Sequence, residues 1–124
     1  MENLVEMRHL IGETVARFQR EKMGLNPKSV EVDVHAAHIL VTLSNVISAA
    51  ERERARDREV RELLETLAAA AFEAVSGELE AEVARITGRA VIGSRISIDP
   101  LAGDAILKFL LEAAEPPAKS RMDG

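Results

Sequence analysis

Residues 48–88 read SAAERERARDREVRELLETLAAAAFEAVSGELEAEVARITG, and their reading decides the fold. Ser48 with Glu51 three positions on is a capping box: the serine hydroxyl accepts from a first-turn amide, and the glutamate accepts from the serine's own amide. Val60, Leu63, Leu64, Leu67, Ala71, Phe72 and Val75 recur at three- and four-residue steps, which paints one apolar stripe on a helix. Gly88 follows the last periodic residue, Ile86, and suits the left-handed turn that ends a helix. One helix over all of residues 48–87 would be about 60 Å long at 1.5 Å per residue, twice the breadth of a small domain. The spacing therefore predicts two pieces, a short helix at 48–57 and a longer one at 58–87. Gly77 is the expected kink or break, since glycine weakens a helix interior by about 1 kcal/mol relative to alanine. Ala68-Ala69-Ala70-Ala71 has high helix propensity and lets a neighbouring backbone approach closely.

Outward from this spine, the chain reads as two halves, each a helix followed by a hairpin. Upstream, residues 3–23 form an amphipathic helix. Leu4, Met7, Ile11, Val15 and Phe18 share one face, and Glu6, Glu13, Arg17 and Gln19 are placed among the polar residues around the rest. Gly24 and Pro27 close it. The apolar seam suits packing on the protein's own sheet, and its near-heptad spacing also suits a partner chain. Residues 29–43 alternate as a β-hairpin, with Val30, Val32 and Val34 against Glu31, Asp33 and His35, then Ile39, Val41 and Leu43. The connection around Ala36-Ala37 lacks the Asn-Gly or Asp-Gly of a tight turn.

Downstream, residues 91–99 and 104–112 form a second hairpin joined by Pro100-Leu101-Ala102-Gly103, proline early and glycine late. Ala105, Leu107, Phe109 and Leu111 share the core face. Ile106 and Leu110 lie on the other face beside Lys108, and Leu40 does the same on its own strand. Apolar residues on both faces predict that the second face is covered by a helix or by another subunit. The expected fold is α+β: helix, hairpin, long helical block, hairpin, with a sheet of about four strands and helices packed on one face. Residues 1–114 are expected to form a single domain, and the polar, proline-broken residues 115–124 a disordered tail.

Composition limits the chemistry. At 124 residues the chain suits one domain, and it contains no cysteine, which excludes disulfides, thiolate nucleophiles and cysteine zinc sites. The net charge is −5, with no basic arm, which disfavours nucleic acid. Aromatic residues are 2% of the chain, all phenylalanine, so stacking platforms for bases or sugars are nearly absent. No apolar run approaches the ~20 residues of a membrane span, so no direct membrane insertion is expected. The start, MENLVEMRHL, carries acids and an interrupted apolar pattern, and no secretory signal is expected; the default is a cytoplasmic protein.

Candidate sites are few. His35 and His38 flank a turn where two imidazoles could approach one ion, with Asp33 as a third donor; solvent-exposed histidines at a hairpin tip are the ordinary reading, and no metal site is expected. Residues 51–62 (ERERARDREVRE) hold ten charged side chains, five of each sign. Helical spacing pairs Asp57 with Arg61, Arg58 with Glu62, Glu51 with Arg54 and Glu53 with Arg56. That stretch is a solvated face first; the sharper reading is a docking surface in which Arg52, Arg54, Arg56 and Arg58 fork onto a partner's carboxylates. Arg89 and Arg95, with Ser94 and Ser97, are an anion-site candidate. There is no nucleophile elbow, phosphate-cradling glycine loop, HExxH or paired carboxylate. Gly88 to Gly93 is not GxGxxG and precedes a strand, so it fails the dinucleotide context. No enzyme activity and no cofactor are expected.

Several segments together carry a resemblance. The first helix ends in Gly24-x-x-Pro27-Lys28-Ser29-Val30. A valine-rich hairpin runs into Val46-Ile47-Ser48-Ala49-Ala50-Glu51-Arg52. Later come Ile86-Thr87-Gly88-Arg89-Ala90-Val91, Ile98-Asp99-Pro100 and Ile106-Leu107-Lys108-Phe109. Over residues 4–112 the chain resembles the small bacterial domain family identified as the C component (MpsC) of a Na+-translocating, membrane-potential-generating system. In that family the first turn is usually Gly-Arg-Gly-Pro, and here Leu25 stands in the arginine's place; alanines also occupy a hairpin turn where an acidic residue or glycine is common. The resemblance implies a soluble accessory partner of membrane proteins in ion transport and inorganic-carbon supply, and brings no catalytic residues.

The functional expectation is a cytoplasmic accessory or adaptor subunit, peripheral at the inner membrane through a protein partner, acting by protein–protein contact as a homodimer. Its partner would be an integral membrane transport protein. The contacts would be Arg52, Arg54, Arg56 and Arg58 together with the Gly24, Pro27 and Lys28 turn. The alternative is a small-ligand or ion sensor, taking bicarbonate or a metal at His35/His38 or near Arg89/Arg95.

Overall fold

The computed structural model describes residues 4–112. The chain runs α1 (Leu4–Phe18), a π-helical turn (Gln19–Met23), β1 (Ser29–Val34), β2 (His38–Ser44), α2 (Ala49–Arg54), α3 (Arg58–Thr87), β3 (Val91–Asp99) and β4 (Asp104–Leu111). The strands form one sheet in the order β1-β2-β4-β3, every neighbouring pair antiparallel. This is the expected α+β order of helix, hairpin, helical block and hairpin. The tail at 115–124 lies outside the described residues.

Strand alternation decides which side of the sheet is dry. Ile39, Val41 and Leu43 of β2, Ala105, Leu107, Phe109 and Leu111 of β4, and Ile96 of β3 are all buried. They meet Ile11, Val15 and Phe18 of α1 and Phe72, Leu79 and Val83 of α3 in one core. Each large side chain buried there contributes about 1.5–3 kcal/mol. Both helices pack on that one face. The edge strand β1 shows Glu31 and Asp33 to solvent, charges that discourage pairing with another sheet.

Three helix expectations need correction. Gln19, placed by periodicity among the polar residues around α1, is fully buried. The helix loosens to π geometry at Gln19. Gln19 stands four residues after buried Val15 and eight after buried Ile11, so helical position places it on the flank of the core face despite its polar side chain. Leu4, expected on the core face, is half exposed at 50%. Gly77 does not break α3, which continues for 30 residues, about 45 Å. A glycine penalty of about 1 kcal/mol is smaller than the packing of Phe72 and Leu79 on either side of it.

The helix boundaries follow the local chemistry. Ser48 Oγ accepts from the Glu51 amide at 3.1 Å, and the Glu51 carboxylate accepts from the Ser48 amide at 3.2 Å. α2 ends after Arg54, and the Asp57 carboxylate accepts from the Glu59 amide at 2.9 Å to start α3. Gly88, at φ 72°, ends α3 and donates its amide to the Ala84 carbonyl at 2.8 Å. The β1–β2 hairpin closes in two residues, with the His35 amide donating to the His38 carbonyl at 2.8 Å. In the β3–β4 turn the Gly103 amide donates to the Asp99 carbonyl at 2.7 Å, and Pro100 is buried.

Candidate partner-docking surfaces

The apolar stripe of α3 divides into two faces. Phe72, Leu79 and Val83 are buried against the sheet, with Val75 and Ile86 packed beside them. None of residues 58–71 is buried, and Leu63 and Leu67 are each 56% exposed. At about 100° per residue, Leu67 lies about 140° around the helix from Phe72, and Leu63 about 180°. Val60, Leu63, Leu67, Ala70, Ala71 and Ala74 thus line a face turned away from the protein's own core. The single apolar stripe read from the periodicity joins two faces, because Phe72 stands five residues after Leu67 and nine after Leu63, spacings that fall on other sides of a helix.

The outer face of the sheet is the second uncovered surface. The register sets Leu40 opposite Lys108, Thr42 opposite Ile106 and His38 opposite Leu110. On the far side Arg95 faces Lys108. Ile106 and Leu110 are 44% and 43% exposed, and no described helix covers them. Gly93, Arg95, Lys108 and Leu110, with Ser94, line a shallow depression of about 260 Å³. Neither Arg95 nor Lys108 has a carboxylate partner among the described residues.

The arginines of residues 52–58 are spread in purpose. Arg52 lies over Gly103 and donates to the Ala102 carbonyl at 3.4 Å, bracing α2 on the β3–β4 turn. Arg56 pairs with Glu53 at 3.7 Å and Arg58 with Glu62 at 3.1 Å. Both pairs are exposed, and such pairs contribute less than about 1 kcal/mol each. The other two expected pairs do not form. Glu51 is engaged in the capping box, and Arg61 donates instead to the Ala55 carbonyl at 2.8 Å. Gly24, at φ 71°, ends the π-helical turn, and Lys28 donates its amide to the Ser44 carbonyl at 2.8 Å. Leu25 packs against the core, so the residue replacing the family's arginine has a structural role here.

The ligand candidates fare differently. His35 and His38 stack with ring centroids 4.5 Å apart and planes inclined by 25°. Imidazole lone pairs lie in the ring plane, so stacked rings do not aim them at a common ion. No group of three or more His, Cys, Asp or Glu side chains among the described residues could hold a metal. Partial burial on the outer face, then His35 and then Lys108, lower the His38 pKa from 6.5. The four anion-site candidates are not brought together. Ser94 points to the helix side and bonds the Glu80 carboxylate, while Arg95 points to the outer face. Arg89 donates to the Glu112 carbonyl at 2.9 Å.

Two features escaped the sequence. One is the Arg95–Lys108 adjacency, which depends on strand register. The other is Gln19, whose Nε2 and Oε1 are both buried without a hydrogen-bond partner.

The molecule is thus an open-faced α+β fold with two uncovered apolar surfaces. Residues 4–113 match the family described as Na+-translocating membrane potential-generating system (MpsC), and the chain belongs to that family. Searches of curated proteins and of solved structures return no significant match. No helix among the described residues is long and apolar enough to cross a membrane.

Proposed function

We propose that the protein is a non-enzymatic accessory subunit of a membrane ion-transport system, acting by protein–protein contact at the cytoplasmic face of the inner membrane. The outer sheet face carries this reading. An uncovered sheet face normally alternates to polar residues. Here Leu40, Ile106 and Leu110 surround the unpaired cations Arg95 and Lys108, a combination that suits an acidic, partly apolar segment of a partner. Family membership points to a Na+-translocating membrane protein as that partner. Arg54 and Arg56, with the Gly24, Pro27 and Lys28 turn, are secondary contacts.

The test is affinity purification of the tagged protein from detergent-solubilised host membranes, followed by mass spectrometry. The wild type should recover a multi-span ion-transport protein. The Ile106→Asp/Leu110→Asp variant should lose it at least tenfold with an unchanged circular dichroism spectrum, because both side chains point away from the core. Recovery of no membrane protein, or equal recovery by the variant, would refute the reading. The adjacency of Arg95 and Lys108 also favours a second reading, anion sensing. A bicarbonate titration at millimolar concentration by calorimetry separates the two: heat lost in Arg95→Gln would support sensing, and no heat would end it.

A further inference from the structure

We infer that the protein self-associates through the N-terminal half of α3, which pairs with the same segment of a second copy in antiparallel register about Leu67. The inference rests on α3 alone and not on the adaptor reading. The stripe holds its large side chains at one end, exposed Leu63 between half-buried Val60 and Leu64, and the exposed Ala70, Ala71 and Ala74 at the other. A two-fold axis at Leu67 sets Val60 against the second copy's Ala74, Leu63 against its Ala71 and Leu64 against its Ala70. Large then meets small on either side of the axis, where the two Leu67 side chains meet each other, and the alanines allow the axes to approach to about 8 Å. Parallel pairing would set large against large and alanine against alanine.

Charge and length select a second copy over an unrelated helix. The segment leading into and starting α3, residues 54–58, carries three arginines and one aspartate, whereas residues 73–82 carry four glutamates and no cation. In the proposed register the arginine-rich approach to α3 comes near the level of the second copy's Glu78. The same level is where α1 reaches α3, through Lys22 on Glu78 at 3.5 Å. It is also where the bend at residues 55–57 takes the incoming chain off the helix axis. The free stripe is therefore as long as its own mate.

Because the chain is free of cysteine, introduced thiols report the register directly. Leu67→Cys lies on the axis and should form an intermolecular disulfide under mild oxidation. Leu63→Cys alone should not, since its two copies stand eight residues apart along the helix, about 12 Å, beyond disulfide reach. Leu63→Cys/Ala71→Cys should cross-link. Light scattering of the wild type should give about 27 kDa, twice the 13.5 kDa chain. Leu63→Glu/Leu67→Glu should halve that mass with an unchanged circular dichroism spectrum. A wild type monomeric at all concentrations would overturn the inference. So would a dimer that survives Leu63→Glu/Leu67→Glu and fails to cross-link through Leu67→Cys.

Discussion

Replacing Gln19 with methionine should stabilise the protein. The carboxamide sits at zero exposure with both polar atoms unpartnered, in the first position of the π-helical turn. Burying an amide without a hydrogen bond costs about 1–3 kcal/mol by mutational measures. Methionine has the same chain length, no strong polar atom, and the flexibility to fill an irregular gap. Its loss of rotamer freedom on burial is similar to that of glutamine, so the two entropic costs nearly cancel. The expected gain is about 1–2 kcal/mol, which for a domain of this size raises Tm by about 4 °C per kcal/mol. Thermal and urea unfolding followed at 222 nm measure it, with Gln19→Ala as the control that removes the amide but leaves a void. Gln19→Met should exceed both the wild type and Gln19→Ala. A loss of 1 kcal/mol or more in Gln19→Met would refute the reasoning. It would mean that the amide is bonded, for example to a held water, and that its burial stabilises.

Gly77 lies on an open side of α3 with nothing within 4 Å of where a Cβ would sit, and it has an ordinary helical φ. Gly77→Ala should therefore add about 0.4–1 kcal/mol, read as a higher urea midpoint at constant m-value. The His38 pKa, lowered by partial burial, His35 and Lys108, predicts an NMR titration midpoint below 6.5, moved upward by His35→Ala and by Lys108→Ala. The sign for stability follows from linkage. The unfolded chain takes up the proton first, so the small contribution of His38 is complete above pH 6.5 and is lost as pH falls through the folded value. A midpoint at or above 6.5 would contradict the outer-face packing of that ring.

The secondary structure was largely legible because it is set by neighbours in sequence. The Ser48–Glu51 capping box, the αL glycine at Gly88 and the valine alternation of β1 are each decided within four residues of chain, and each stands where the pattern put it. The core face of β4 was legible for the same reason, since alternation with period two cannot be mistaken over eight residues. The MpsC resemblance was legible too, because the segments that carry it are short, local and spread along the chain, and the family match covers residues 4–113.

What depended on tertiary structure was everything set by how much of an element finds a partner. Periodicity marked Val60, Leu63 and Leu67 as apolar, but only the docking of α3 on β3 showed that Phe72 and Leu79 are covered while Leu63 and Leu67 are not. Gln19 looked outward because its residue type is polar, although it stands four residues after Val15 on the helix face that the tertiary fold buries. Arg95 and Lys108 became neighbours through the β3–β4 register, a pairing fixed by the buried alternation of both strands and the Pro100–Gly103 turn between them. Local geometry is encoded locally. Which surfaces remain open follows from packing, and packing is a property of the whole chain.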